Sequence, residues 1–121
     1  MNDYKAIPAF SANGYVNAVI EIPAGSSDKR EYDAATKSFP INKRDGAPRR
    51  IKFLPYPANY GYVPSTLMHK AQGGDGDALD IFVLCPALPT GTVLEVAPIG
   101  IINLIDADER DDKIIALPID R

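Results

Sequence analysis

Eleven prolines and nine glycines punctuate this chain of 121 residues. Proline removes a backbone donor and glycine costs backbone entropy, so neither suits a helix interior. That frequency excludes a helical bundle or a coiled coil. What remains between the breaks are short β-favouring runs. The run 15–22 (YVNAVIEI) reads as a strand stopped by Pro23 and Gly25. Residues 29–32 and 39–42 read as a short pair joined by 33–38, and 43–50 as a basic loop turning at Asp45-Gly46. Residues 51–54 are a further candidate strand. Residues 55–64 hold three prolines and three tyrosines and cannot be regular helix. Residues 79–85 are apolar apart from Asp80 and read as a buried strand. The runs 92–97 and 99–105 follow, separated by Pro98 and Gly100; an acidic loop, 106–112, precedes a last strand at 114–117. Only 65–72 offers one or two helical turns. Many short strands with frequent turns predict an all-β sandwich or barrel, in one domain spanning 1–121.

Composition narrows the function. The single cysteine, Cys85, excludes an internal disulfide framework and a cysteine-based zinc site, and its apolar run makes it a core residue. The single histidine, His69, excludes a histidine-rich metal site and reads as a surface residue. A net charge of −3 argues against a general nucleic-acid binder. The longest uncharged stretch, 53–68, is too short and too broken by proline to span a membrane. The N-terminus lacks the basic-then-apolar pattern of a signal peptide, so the expected location is the cytoplasm. Phosphate-cradling glycine loops of the Walker and dinucleotide kinds are absent.

Of sixteen acids, twelve are Asp and only four Glu. Turns favour Asp, which is the plain reading of that bias. The densest run, Asp75-Gly76-Asp77-Ala78-Leu79-Asp80, sets three carboxylates between a Gly-Gly loop and a buried strand. Such crowding repels unless cations offset it, and hard divalent cations such as Mg²⁺ or Mn²⁺ want oxygen ligands. An EF-hand loop is excluded, because the run lacks its spacing and terminal Glu. A second acidic group, Asp106, Asp108, Glu109, Asp111 and Asp112, ends at Lys113. Taken alone it is a solvated hairpin tip; paired with the first run it completes a multi-metal site. Tyr56, Tyr60 and Tyr62 lie in a Pro/Gly segment, either as a lid over the core or as phenols facing a polar cleft. Lys29, Lys43-Arg44 and Arg49-Arg50 supply cations, each a solvated surface feature on its own. Carboxylates that hold metals beside cations that neutralise oxyanions suit phosphoryl transfer.

With these residues in place, the chain resembles the soluble inorganic pyrophosphatases of the Mg²⁺-dependent family I. The run 75–80 matches that family's Asp-x-Asp-x-x-Asp, with Ala78 where most members carry Pro. Four further segments agree in order and spacing: 19–23, 29–32, 56–62 and 106–113. The resemblance runs from about Tyr15 to the C-terminus. It implies a five-stranded β-barrel of the oligonucleotide-binding type, and hydrolysis of inorganic diphosphate by a metal-activated water. It also implies roles. Asp75, Asp80, Asp106 and Asp111 would bind metal, with Glu21 and Glu31 holding metal-bound waters. Asp77 would be the general base. Lys29, Tyr60 and Lys113 would contact phosphate, with Tyr56 supporting that wall. Arg44 would be the phosphate-binding arginine, with Arg49 its rival. Family members continue through helices that pack on the barrel and carry a further Tyr-Lys pair; this chain stops at Arg121, so one wall is expected to be missing. The nearly continuous apolar runs 81–84 and 99–105 are expected to want cover on both faces, and the chain to be a homo-oligomer. A non-catalytic cation-binding barrel and an oligonucleotide-binding barrel are the alternatives.

Overall fold

The computed structural model describes residues 4–41, 43–44, 47–48, 56–68, 74, 77–106 and 108–119. In chain order the strands are β1 (Val16–Ile22), β2 (Lys43–Arg44), β3 (Ala47–Pro48), β4 (Asn59–Val63), β5 (Leu79–Val83), β6 (Val93–Ile102), β7 (Ile105–Asp106), β8 (Glu109–Arg110) and β9 (Lys113–Pro118). The five longer strands close into a barrel in the order β1-β4-β5-β9-β6. Counted among themselves they run 1-2-3-5-4 and back to 1, with only β5 and β9 pairing parallel. The all-β fold is therefore the closed five-stranded barrel anticipated above. Closure leaves no free edge on the main sheet. Among the described residues the only helical turn is Tyr4–Ala6; none of the described part of 65–72 is helical.

The barrel is filled by Ala18, Ile20, Val63, Ile81, Val83, Val96 and Ala116. β4 was not evident as a strand, because Gly61 and the flanking prolines read as breakers. Burial nevertheless alternates along it: Asn59, Gly61 and Val63 are buried, while Tyr60 and Tyr62 are half-buried on the other face. Gly61 is required by the neighbouring strand. A Cβ there would lie 1.8 Å from the Val19 carbonyl oxygen. The two runs expected at 92–97 and 99–105 form one long strand, β6, whose register slips between Pro98 and Gly100. Such a bulge lets proline and glycine sit inside a continuous strand. Among the described residues the expected pair 29–32 and 39–42 forms no strand; it meets through an isolated Arg30–Ile41 bridge and the Glu31 N–H to Pro40 carbonyl bond at 3.4 Å, and its loop closes through Asp33 with Ser38. The basic loop contains the small hairpin β2–β3, and the acidic loop contains β7–β8. The candidate strand 51–54 and His69 lie outside the described residues.

The apolar runs have the two outcomes that a barrel imposes. Ile81 and Val83 face the core, whereas Ile99 (58 % exposed), Ile101, Ile102, Leu104, Ile105 (77 %) and Leu117 are open to solvent.

Candidate active site

The site is built where the strands deliver polar side chains to one face of the barrel. β1 carries a bulge between Ile20 and Ile22. Alternation separates Glu21 from both neighbours, so Ile20 and Ile22 stay buried while Glu21 reaches the cleft. β4 supplies Tyr60 and Tyr62 by its period of two. The parallel pairing of β5 with β9 sets Asp80 opposite Lys113, and its antiparallel pairing with β4 sets Asp80 opposite Tyr62. The segment between β1 and β4 adds Lys29 and Glu31, and the segment between β6 and β9 adds Glu109 and Asp111. Asp77 reaches the same cleft just before β5. The cleft has a volume of about 760 Å³. It draws on β1, β4, β5 and β9 and the loops beside them, and so includes the second and third barrel strands through which barrels of the oligonucleotide-binding type take ligands.

Lys113 sits at the centre. Its ammonium donates to Asp80 at 2.6 Å, to Asp111 at 2.8 Å and to the Tyr60 hydroxyl at 3.2 Å. It also lies 5.4 Å from the centre of the Tyr60 ring. Burial works against its charge, but the bonds to Asp111 and Asp80 prevail and hold it protonated above the usual lysine range. The Tyr60 ring is wedged between Tyr56 and Phe82, at 5.2 and 5.0 Å between centroids. Burial, followed by the Asp80 charge, pushes its hydroxyl far up, so it stays a neutral donor. Tyr56 packs against the Tyr60 ring without lining the cleft itself. Lys29 pairs with Glu31 at 3.8 Å across a solvated gap; such exposed pairs contribute little to stability.

The cleft is short of positive charge. Burial raises the Asp80 carboxyl despite its bonds to Lys113 and Tyr60. Glu21 is 8 % exposed and accepts the Tyr32 N–H at 2.7 Å. Burial, only partly opposed by that bond and reinforced by Glu31 and Asp80, pushes its pKa from 4.5 to about 8. A set of oxygen donors whose carboxyls burial pushes up for want of counter-charge fits hard divalent cations. Among the described residues no three such groups converge tightly enough to hold an ion alone. Asp75 and Arg49 lie outside the described residues. Arg44 and Asp106 are described only by their backbones, in β2 and β7.

A pH dependence follows for the metal-free protein. The folded state keeps the Glu21 proton between about 4.5 and 8, where the unfolded state has lost it. The folded state then binds more protons, so stability falls as pH rises through that window. Melting temperatures in chelator from pH 5 to 9 should decline through it, and Glu21→Gln should flatten that slope. An unchanged slope in the variant would show that Glu21 is not its source.

Residues not singled out from sequence also line the cleft: Tyr4, Tyr32 and Thr66. Tyr4 comes from the N-terminal turn, 5.1 Å from Tyr32 between ring centres. Their neighbourhood depends on tertiary packing, and no local pattern announces it.

The closed barrel thus gathers carboxylates, phenols and a half-buried lysine on one face. The comparisons make this specific. The inorganic pyrophosphatase family model matches residues 18–121. An inorganic pyrophosphatase of Synechocystis sp. is 38 % identical over 120 residues, covering 96 % of this chain and 63 % of its own length. That of Sulfolobus acidocaldarius is also 38 % identical over 120 residues, covering 97 % of this chain and 62 % of its own. Among solved structures, the Neisseria gonorrhoeae inorganic pyrophosphatase superposes with a TM-score of 0.81 at 32 % identity, over 99 % of this chain and 65 % of that one. The type I enzyme of Toxoplasma gondii superposes at 0.87 with 27 % identity, over 98 % and 58 %. The chain belongs to the inorganic pyrophosphatase family. It spans less than two thirds of the length of the curated relatives it matches.

Proposed function

We propose that this chain, as a single domain, hydrolyses inorganic diphosphate to two orthophosphates. The observation that carries the reading is the Asp80–Lys113–Asp111 cluster with Tyr60, set in the ligand cleft of a barrel of this family. When bound, divalent cations, Mg²⁺ or Mn²⁺, supply Lewis acidity and offset charge on both phosphates. Asp75, Asp80, Asp106 and Asp111 would hold them, with Glu21 and Glu31 binding their water ligands. The Asp77 carboxylate takes the proton of the attacking water. The water oxygen bonds to one phosphorus as that atom's bond to the bridging oxygen breaks. Lys113, Lys29 and Arg44, or Arg49 in its place, offset charge on the phosphate oxygens, and Tyr60 donates to one of them.

Addition of millimolar Mg²⁺ should raise the melting temperature, because only the folded state gathers the ligands. It should also start phosphate release from diphosphate, and chelator should stop it. A thermal shift without turnover would instead mark a non-catalytic cation-binding barrel. The oligonucleotide-binding alternative is disfavoured, since Glu21, Glu31, Asp77, Asp80, Glu109 and Asp111 outnumber Lys29, Arg30 and Lys113 along the cleft.

Self-association belongs to the same reading, supported by the exposed apolar group of Ile99, Ile101 and Ile105. Sedimentation should find an oligomer that Ile99→Lys with Ile105→Lys disperses; a monomeric unchanged chain would refute this. The expected cytoplasmic setting goes with this reading too, and the free, half-buried Cys85 fits a chain that uses no disulfide.

A further inference from the structure

Among its described side chains, the acidic loop contains one buried carboxylate that points away from the cleft. Asp112 is 3 % exposed, whereas its neighbours Asp111 and Lys113 line the site. Adjacent residues in an extended segment face opposite sides, so Asp111 and Lys113 share one and Asp112 takes the other. There Asp112 Oδ1 accepts the Leu104 N–H at 3.2 Å, and Oδ2 pairs with the Arg110 guanidinium. The Leu104 carbonyl in turn accepts the Asp111 N–H at 2.9 Å. Leu104 is therefore gripped from both sides, and the two ends of the β7–β8 hairpin are tied across its base. The hairpin turns through Asp108 at a φ of 65°, a left-handed conformation that needs support from elsewhere. Arg110 also forms a parallel backbone bridge with buried Gly74, the residue preceding Asp75. A Cβ at Gly74 would come within 2.5 Å of the Met68 carbonyl oxygen, so that contact is a close one.

We infer that Asp112 is a positioning residue: chiefly through Leu104, and less through Arg110, it fixes the hairpin that leads to Asp111 and Lys113 at the cleft and that meets Gly74. Buried partners that orient ligands of this kind change metal affinity tenfold or more when removed. The inference rests on the proposed cation-dependent site, but not on turnover.

The experiment measures the Mg²⁺ concentration giving half of the full thermal shift, with amide exchange at Leu104 and Asp111. Asp112→Ala should raise that concentration about tenfold and expose both amides. Asp112→Asn keeps the acceptor for Leu104 and should stay within about threefold, as should Arg110→Ala. An Asp112→Ala chain with a lower metal-free melting temperature but the unchanged Mg²⁺ midpoint would reduce Asp112 to a structural residue and overturn the inference. If Asp112→Ala does not fold, Asp112→Leu, which keeps the volume but cannot accept the Leu104 N–H, decides in its place, a wild-type midpoint again overturning it. A wild-type chain that responds to Mg²⁺ yet releases no phosphate defeats the proposed activity and leaves this inference to the midpoints. A wild-type chain with no Mg²⁺ response defeats both.

Discussion

Asp77→Asn is expected to lower phosphate release at least a hundredfold while leaving most of the Mg²⁺-induced thermal shift intact. Asp80→Asn is expected to lose most of that shift. The distinction comes from position. Asp80 is set by β5 against Lys113 and Tyr62, is mostly buried, and shares its lysine with Asp111. Its charge is part of what a cation would offset. Asp77 precedes the strand, is exposed, and borders the open cleft. A carboxylate placed there, at the open cleft, can accept a proton from water. A hundredfold loss is the scale set by a positioned general base. Calorimetry with Mg²⁺ and a phosphate-release assay on both variants check the assignment. Equal loss of Mg²⁺ binding in the two would make Asp77 a ligand instead, and near-normal turnover of Asp77→Asn would remove it from the reaction.

How much of this was legible depended on the range of the forces involved. β1 ended where Pro23 and Gly25 said it would, and β5 and β9 followed their apolar runs, because strand propensity and burial agree there. β4 was hidden because Gly61 looks like a breaker in isolation. Its role becomes visible only beside the Val19 carbonyl, a contact made by residues distant in sequence. β6 was divided for the same reason, since a bulge accommodates Pro98 and Gly100 without ending the pairing. The candidate site was legible as a set of residue types. The register between β5 and β9, which brings Asp80 to Lys113, was not. The run 106–112 suggested five equivalent acids. Packing separates them, sending Asp111 to the cleft and burying Asp112 behind it.

Lys113→Met should cost the metal-free protein about 3 kcal/mol, the low end for removing one partner of a buried ionic group. That corresponds to a fall in melting temperature of roughly 10 °C for a domain of this size. Methionine keeps the apolar stem against the Tyr60 ring and removes only the ammonium. Asp80 and Asp111 would then face each other in a cleft whose carboxyls are already short of counter-charge. Lys113 is 12 % exposed at its side chain and the two carboxylates 19 % and 23 %, so water screens them only in part. In the metal-free fold this ammonium does the work of a cation. Mg²⁺ should therefore restore more stability to Lys113→Met than it adds to the unchanged chain, because it no longer competes with a lysine for the same oxygens. Diphosphate should nonetheless bind the variant more weakly, since the ammonium that would turn to phosphate is gone. Lys113→Arg keeps the charge and should recover most of the metal-free stability. Thermal melts of the three chains in chelator and in Mg²⁺ separate these effects. Equal melting temperatures of the wild-type and Lys113→Met chains in chelator would mean that Asp80 and Asp111 do not depend on Lys113, and the electrostatic account of the site would fail.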